Sequence, residues 1–229
     1  MQTKVFRRIV QKLVKTAFVA VTVMLITGAT PQSASVETSV NDVLASVEMI
    51  FVEGSGNINS FHIGKYEVTQ GQWRAVMGNN PAANQAGDNY PVEQVSWPEA
   101  REFINRLNVL TDKNYRLLSV AEWQYAARGG NQSSGYEYSG GNDIGVVGWF
   151  HGNSGNSSHP VGGKQPNELG IYDMTGNVWE WCEDGSSGSL RSIRGGAFDT
   201  PAMGCIPTEV SFNTMGERNP TIGFRLAHP

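Results

Sequence analysis

The chain has 229 residues, of which 39% are hydrophobic, 17% charged and 10% aromatic, with 27 glycines, 10 prolines and two cysteines. That length is ample for one hydrophobic core, and low charge with many glycines and aromatic residues excludes a disordered charged tail and a charge-laced helical bundle. Two cysteines exclude a disulfide scaffold and a four-thiolate zinc site, leaving one bridge, one reactive pair or two unrelated thiols.

Lys4, Arg7, Arg8, Lys12 and Lys15 precede an apolar run from Thr16 to Ala29 and then the small, polar stretch TPQSAS. A basic start, an apolar middle and a small-residue exit make residues 1–34 read as a secretory signal peptide. The other reading is an N-terminal anchor, for which the run is short of the ~20 apolar residues that a span needs. The protein is therefore expected to be exported (periplasmic, cell-surface or secreted), with membrane contact only through this segment if it is not cleaved. Without those five bases, 12 basic against 21 acidic side chains leave a charge of −9, which disfavours a nucleic-acid partner.

Residues 35–46 are polar and read as a linker, and the domain is expected over 47–229. VEMIFVEG (47–54) and FHIGKYEVT (61–69) have the β-branched and aromatic content of strands. The segment after Thr69, closed by Gly78, has helical spacing at Trp73, Val76 and Met77. A longer helix over 96–108 is capped by Ser96 with Glu99 three residues on, carries Pro98 in its first turn, and has its stripe at Trp97, Ala100, Phe103, Ile104 and Leu107. A third, over 119–128, is capped by Ser119 with Glu122 and closed by Gly129-Gly130. Beyond Arg128 no helical period is visible. Short apolar pieces (VVGWF, GIYDM, NVWEW, SIRGGAF, IGFRLA) alternate with Gly, Asn, Ser and Asp, and no repeat is found. The reading is α+β: helices in the first half, then a loop-heavy β region of the kind that carries binding surfaces.

Within that region Asp173 and Glu180 lie seven residues apart around a glycine-containing turn. Mixed side-chain and backbone oxygens suit a hard cation; equally, the two carboxylates can cap turns or pair with Arg194 or Arg225. His151 and His159 sit in a Gly/Ser-rich loop and read as surface residues, and His62 and His228 stand apart. Trp149, Trp179 and Trp181 read as staples between loops. Cys182 and Cys205 can form a bridge worth roughly 3 kcal/mol by loop-closure entropy, or remain buried thiols. Asn131-Gln132-Ser133 and Asn156-Ser157-Ser158 match the N-glycosylation pattern.

The strings YEVTQGQWRAVMG, YPVEQVSW, RLLSVAEWQYAARGG, HPVGGKQPNELGIYDMTGNVWEW, RGGAF and IGFRLA occur in one order, and together the series resembles the sulfatase-modifying-factor family, the formylglycine-generating-enzyme-like domains. The resemblance covers about Val47 to Ala227. It implies a C-type-lectin-like variant fold: a small twisted antiparallel sheet, two or three helices and much irregular loop. It also carries a calcium site onto Asp173 and Glu180 by side chain and Gly176 and Val178 by backbone oxygen, and a substrate groove beside Trp179. The family's enzymes oxidise a client cysteine to formylglycine with two copper-binding cysteines five residues apart, and thiolates suit Cu(I). Here Thr200 stands at the first of those positions and Cys205 at the second. Ala197, Ile206, Val210 and Thr221 depart from the family's usual residues around that pocket, and Leu118 and Val120 depart earlier in the chain. Copper is accordingly not expected.

The function implied is an exported binding module for a protein, peptide or glycan. Its recognition surface is expected on Trp179, Phe198, Asp199, Thr200, Met203, Phe212, Asn213 and Thr214, where aromatic, Met and amide side chains suit adaptable contacts. The alternative is a metal-dependent oxidoreductase of the family type, with Cys205 as its catalytic residue. An accessory role in an envelope assembly is not separated from the binding reading.

Overall fold

In the computed structural model, which describes residues 47–185 and 188–229, the three longer helices start on the hydroxyl residues that the sequence singles out. Helix α1 (Gln70–Met77) is capped by Thr69, whose hydroxyl accepts from the Gln72 N–H while the Gln72 side chain accepts from the Thr69 N–H. In α2 (Trp97–Thr111) the Glu99 carboxylate accepts from the Ser96 N–H and hydroxyl. In α3 (Val120–Ala127) Ser119 and Glu122 exchange both bonds. Each cap satisfies backbone donors that the first turn leaves unpaired, typically worth about 1 kcal/mol. Helix α2 runs three residues beyond its expected end because Asp112 adopts the left-handed conformation (φ 55°) and donates its N–H back to the Asn108 carbonyl.

All described residues belong to one unit of the chain, 39–229; the expected leader and linker (1–46) lie outside them. Strands β1 (Met49–Val52) and β2 (Phe61–Gly64) pair antiparallel, and β2 also pairs with β7 (Ala227–His228). A second sheet has the order β5-β4-β3-β6, from β3 (Trp179–Trp181), β4 (Leu190–Arg194), β5 (Ser211–Thr214) and β6 (Ile222–Gly223). Among the described residues there are thus two sheets rather than one, and β3 pairs parallel with β6. The second expected strand is shorter than the 61–69 reading because its partners run out: Val68 leaves the first sheet and bonds Phe224 and Val92 instead. Helix α4 (Ile144–Val147) and 3₁₀ turns at 130–132 and 202–205 lie where no helix was expected. None is long enough to display a period.

The core has two parts. In one, Trp73 stacks on Phe103 (5.4 Å between centroids), and Phe224 meets both edge-on. Trp181 joins this cluster and donates its indole N–H to the Val95 carbonyl. The other packs α3 on the first sheet through Trp123, Ala126, Ala127, Phe61, Ile63 and Ile171, with Cys182. Both cysteines are buried and free, so the bridge reading does not hold. Among the described residues no helix is long and apolar enough to cross a membrane.

Candidate functional site

The segment 173–180 is a tight reversal in which Asp173, Gly176 and Asn177 all have positive φ (59°, 77° and 62°). Gly176 is required there: a Cβ would lie 2.0 Å from the Trp149 carbonyl oxygen. Asn177 is the hub of the reversal. Its side-chain oxygen accepts from the His159 N–H, its side-chain nitrogen donates to Glu67, and its carbonyl accepts from the Phe198 N–H. Glu67, just beyond β2, also accepts from the Val178 N–H.

Beneath the reversal lies a buried charge cluster. Arg225 is fully buried and donates to both oxygens of Glu180 and to the carbonyls of Gly64 and Tyr172. The Trp123 indole N–H donates to the same Glu180 carboxylate at 2.7 Å. Asp173 accepts from the Gly162 N–H through one oxygen, while its Oδ1 is buried with no hydrogen-bond partner among the described residues. Burial, with repulsion from Asp173 and Glu180, pushes the Glu67 carboxyl well above its ordinary value. Burial likewise raises Asp173 to about 6, against the Gly162 bond and Arg225. Burial opposes the charge on Arg225, but Glu180, Glu67 and Asp173 outweigh it and raise its pKa. One buried cation thus faces three buried carboxylates.

The reversal places the segment 196–205. Phe198 is held by main-chain atoms: its N–H donates to the Asn177 carbonyl, and its own carbonyl accepts from Ser154 Oγ at 2.7 Å. The Thr200 carbonyl accepts from the His151 N–H. Thr200 and Cys205 do come together, with Cys205 Sγ 3.9 Å from the Thr200 carbonyl oxygen. The Thr200 hydroxyl is committed locally, accepting from the Ala197 N–H at 3.0 Å. Burial, then the nearby Asp199 charge, pushes the Cys205 thiol up to about 12. Gly196 (φ 79°) makes this packing possible, since a Cβ there would lie 2.4 Å from Cys205 Sγ.

Of the residues expected to form a recognition surface, Asp199, Met203, Phe212 and Thr214 are exposed. Phe198, Thr200, Asn213 and Trp179 are half-buried. Phe212, Asn213 and Thr214 lie on β5, an edge strand, in register with Ser192, Arg191 and Leu190 of β4. Trp179 lies on β3, packed against the first core cluster, with its N–H bonded to the Thr221 carbonyl.

Residues 52–229 match the family described as the sulfatase-modifying factor enzyme 1-like domain. The chain belongs to that family. It is 35% identical to the chaperone protein LppX of Paenibacillus barcinonensis, over 69% of this chain and 76% of that protein. It is 30% identical to a formylglycine-generating enzyme of Streptomyces coelicolor, over 61% of this chain and 53% of the enzyme, so it spans about half that enzyme's length. Among solved structures, Treponema denticola variable protein 1 superposes with a TM-score of 0.71 at 28% identity, covering 80% of this chain and 91% of that one.

The metals that the family implies can be tested against these side chains. The position of the copper-binding pair offers one neutral thiol and one hydroxyl already held in a turn, which does not fit a two-thiolate Cu(I) site. Glu180 has no oxygen to spare for calcium, both being held by Arg225 and Trp123, whereas Asp173 Oδ1 stays open. The expected set Asp173, Gly176, Val178 and Glu180 therefore does not fit as written. Glu180 instead makes the arginine pair, with Arg225.

Several contributors were not legible. Glu67, a carboxylate just beyond β2 between Tyr66 and Val68, is almost fully buried, which nothing in its neighbours announces. The 150–159 loop, read as surface, buttresses the 198–200 segment, and His159 stacks on Trp149 at 3.8 Å. His62 and His228, read as separate, are stacked on each other.

Proposed function

We propose that this domain is a binding module that holds a protein or peptide partner on the surface running from β4 through the 3₁₀ turn to β5. One observation carries the reading. Of the eight large hydrophobic side chains exposed among the described residues, Leu190, Met203, Val210 and Phe212 fall in this one short stretch, Met203 at 73% and Phe212 at 44% exposure. Of these, Leu190 and Phe212 lie on the paired strands β4 and β5, and exposed apolar residues gathered so mark an interaction surface where scattered single residues would not. An edge strand beside it offers unpaired main-chain groups to an extended segment. This combination favours a protein segment over a glycan. The name of the LppX relative, a chaperone, supports a protein partner too. At the position where the family's enzymes hold thiolates, a raised thiol pKa and a committed hydroxyl support binding rather than oxidation.

The reading includes export, supported by the basic and apolar pattern of residues 1–34. The test is photo-crosslinking in cells through a reactive analogue at Met203 or Phe212, compared with the same analogue at Arg106 on α2. A discrete partner adduct at the first two positions, lost in a Val210→Glu background, supports the proposal. Equal adducts at all three positions, or an oxygen-dependent thiol oxidation abolished by Cys205→Ser, overturns it.

A further inference from the structure

Among the described residues, one cation has nothing to hold. Every other arginine and lysine side chain there meets a carboxylate, a carbonyl oxygen or an aromatic ring. Arg128, at the C-terminal cap of α3, is exposed, and its guanidinium has no such partner among them. Acidic side chains outnumber basic ones in the chain, so this guanidinium is not left over for want of acids.

Arg128 lines a cleft of about 410 Å³ between α3, the β1–β2 connection and the segment after α3, a size within the ~300–1,000 Å³ typical of small-molecule sites. Ala121, Gln124, Tyr125 and Arg128 line it from α3, at the helical spacing that sets them on one face. Ile58 and Ser133 close the other sides. The polar groups of this lining have hydrogens to give. Gln124 Oε1 accepts from Arg194, which leaves the Nε2 hydrogens over. Ser133 Oγ accepts from the Gly135 N–H and keeps its own hydrogen. The Tyr125 hydroxyl is anchored at the Glu53 carbonyl and Asn131 Oδ1, which holds the ring in place. Among the described residues no carboxylate lines the cleft. Glu53 and Glu168, the acids of neighbouring segments, are taken by Asn131 and by the Ser134 N–H.

We infer that this cleft binds a small organic carboxylate with a flat apolar body. A guanidinium fork matches a carboxylate with two parallel hydrogen bonds, each stronger than a neutral one. The Gln124 amide and the Ser133 hydroxyl add donors for the same anion, while the Tyr125 ring, Ile58 and Ala121 offer apolar surface to its body. A bare inorganic anion would leave that surface uncovered, and a cation would be repelled by Arg128. None of these six residues belongs to the 190–212 surface, so either proposal can fail alone.

The experiment is a titration of the isotope-labelled, tag-free protein with phenylacetate, followed by NMR through the Gln124 side-chain amide and the Arg128 Nε–H. Saturable shifts at both, with a dissociation constant below about 1 mM, are expected. Arg128→Gln should weaken binding about tenfold or more, the usual cost of losing a charged hydrogen bond, and Arg106→Gln on α2 should leave it unchanged. Ala121→Leu, a good helix former at an exposed helix position, should fill the cleft and weaken binding about as much while the rest of the spectrum stays. Phenylacetamide has the ring without the charge and inorganic phosphate the charge without the ring, and each should bind about tenfold more weakly or less. Absence of saturable shifts, affinity indifferent to Arg128→Gln or to Ala121→Leu, or phosphate binding as tightly as phenylacetate would overturn the inference.

Discussion

Replacing Arg225 by methionine tests how the domain holds its shape. The guanidinium is buried to 0% exposure and spends its donors on Glu180 and on the carbonyls of Gly64 and Tyr172. Removing it strands Glu180 as a buried charge, a loss of about 3–5 kcal/mol. Two carbonyl oxygens also lose their partner, at roughly 1–3 kcal/mol each for a group left unsatisfied. The sum, about 5–11 kcal/mol, rivals the whole stability of a typical domain, about 5–15 kcal/mol. Arg225→Met is therefore expected to unfold the domain or leave it barely folded. Glu180→Gln in the same chain should recover about 2 kcal/mol or more, because the stranded charge is gone. Arg225→Lys, which keeps the charge but not the fork, should fall between wild type and Arg225→Met. Urea melts followed by tryptophan fluorescence, with Trp123 bonded to the same carboxylate, give the comparison. Should Arg225→Met melt within about 1.5 kcal/mol of wild type, or the double variant show no recovery, the cluster does not bear the load argued for it.

Two further outcomes follow from the same buried groups. Asp173 titrates near 6 in the fold against an ordinary 3.8, so the folded state binds its proton more tightly than the unfolded chain does. Its contribution to stability is therefore fully present below about pH 4 and falls as pH rises through 6, by up to about 3 kcal/mol. Asp173→Asn should flatten that part of the pH–stability curve and raise the melting temperature at pH 7.5; an unchanged slope would refute the assignment. Cys205, pushed up to about 12, is expected to resist iodoacetamide at pH 8 in the native protein, since only about one thiol in 10⁴ is ionised. Under denaturant both it and Cys182 should label. Rapid native labelling of Cys205 would show a reactive thiol and count against the binding reading.

What was legible in the sequence was local. Thr69, Ser96 and Ser119 announce α1, α2 and α3 because a cap and its partner three residues on form one physical unit in sequence and in space. The framework strings identify the domain for a related reason: a reversal such as 173–177 needs residues that accept positive φ, with glycine where the Trp149 carbonyl approaches. The ends of elements were read less well wherever a distant segment decides them, as at Val68, which changes partner in mid-run. Buried charge was hardest. Glu67 lies just past the end of β2, and nothing nearby in sequence tells that Asn177, Val178 and the Arg225 cluster will surround it. The stacked histidines are invisible for the same reason, since their contact exists only once β7 returns beside β2.

The 198–200 segment combines a firm frame with exposed side chains for a physical reason. The 198–200 segment is fixed largely by main-chain atoms: Phe198 N–H to Asn177, Phe198 carbonyl to Ser154, Thr200 carbonyl to His151. Contacts of that kind do not depend on side-chain identity, so Phe198, Asp199 and Met203 can change without loosening the loop. Thr200 and Cys205 differ, because one closes the turn at Ala197 and the other fills space against Gly196. Under the proposed function, exposed side chains such as Asp199 and Met203 would answer to the partner that docks on them rather than to the demands of folding.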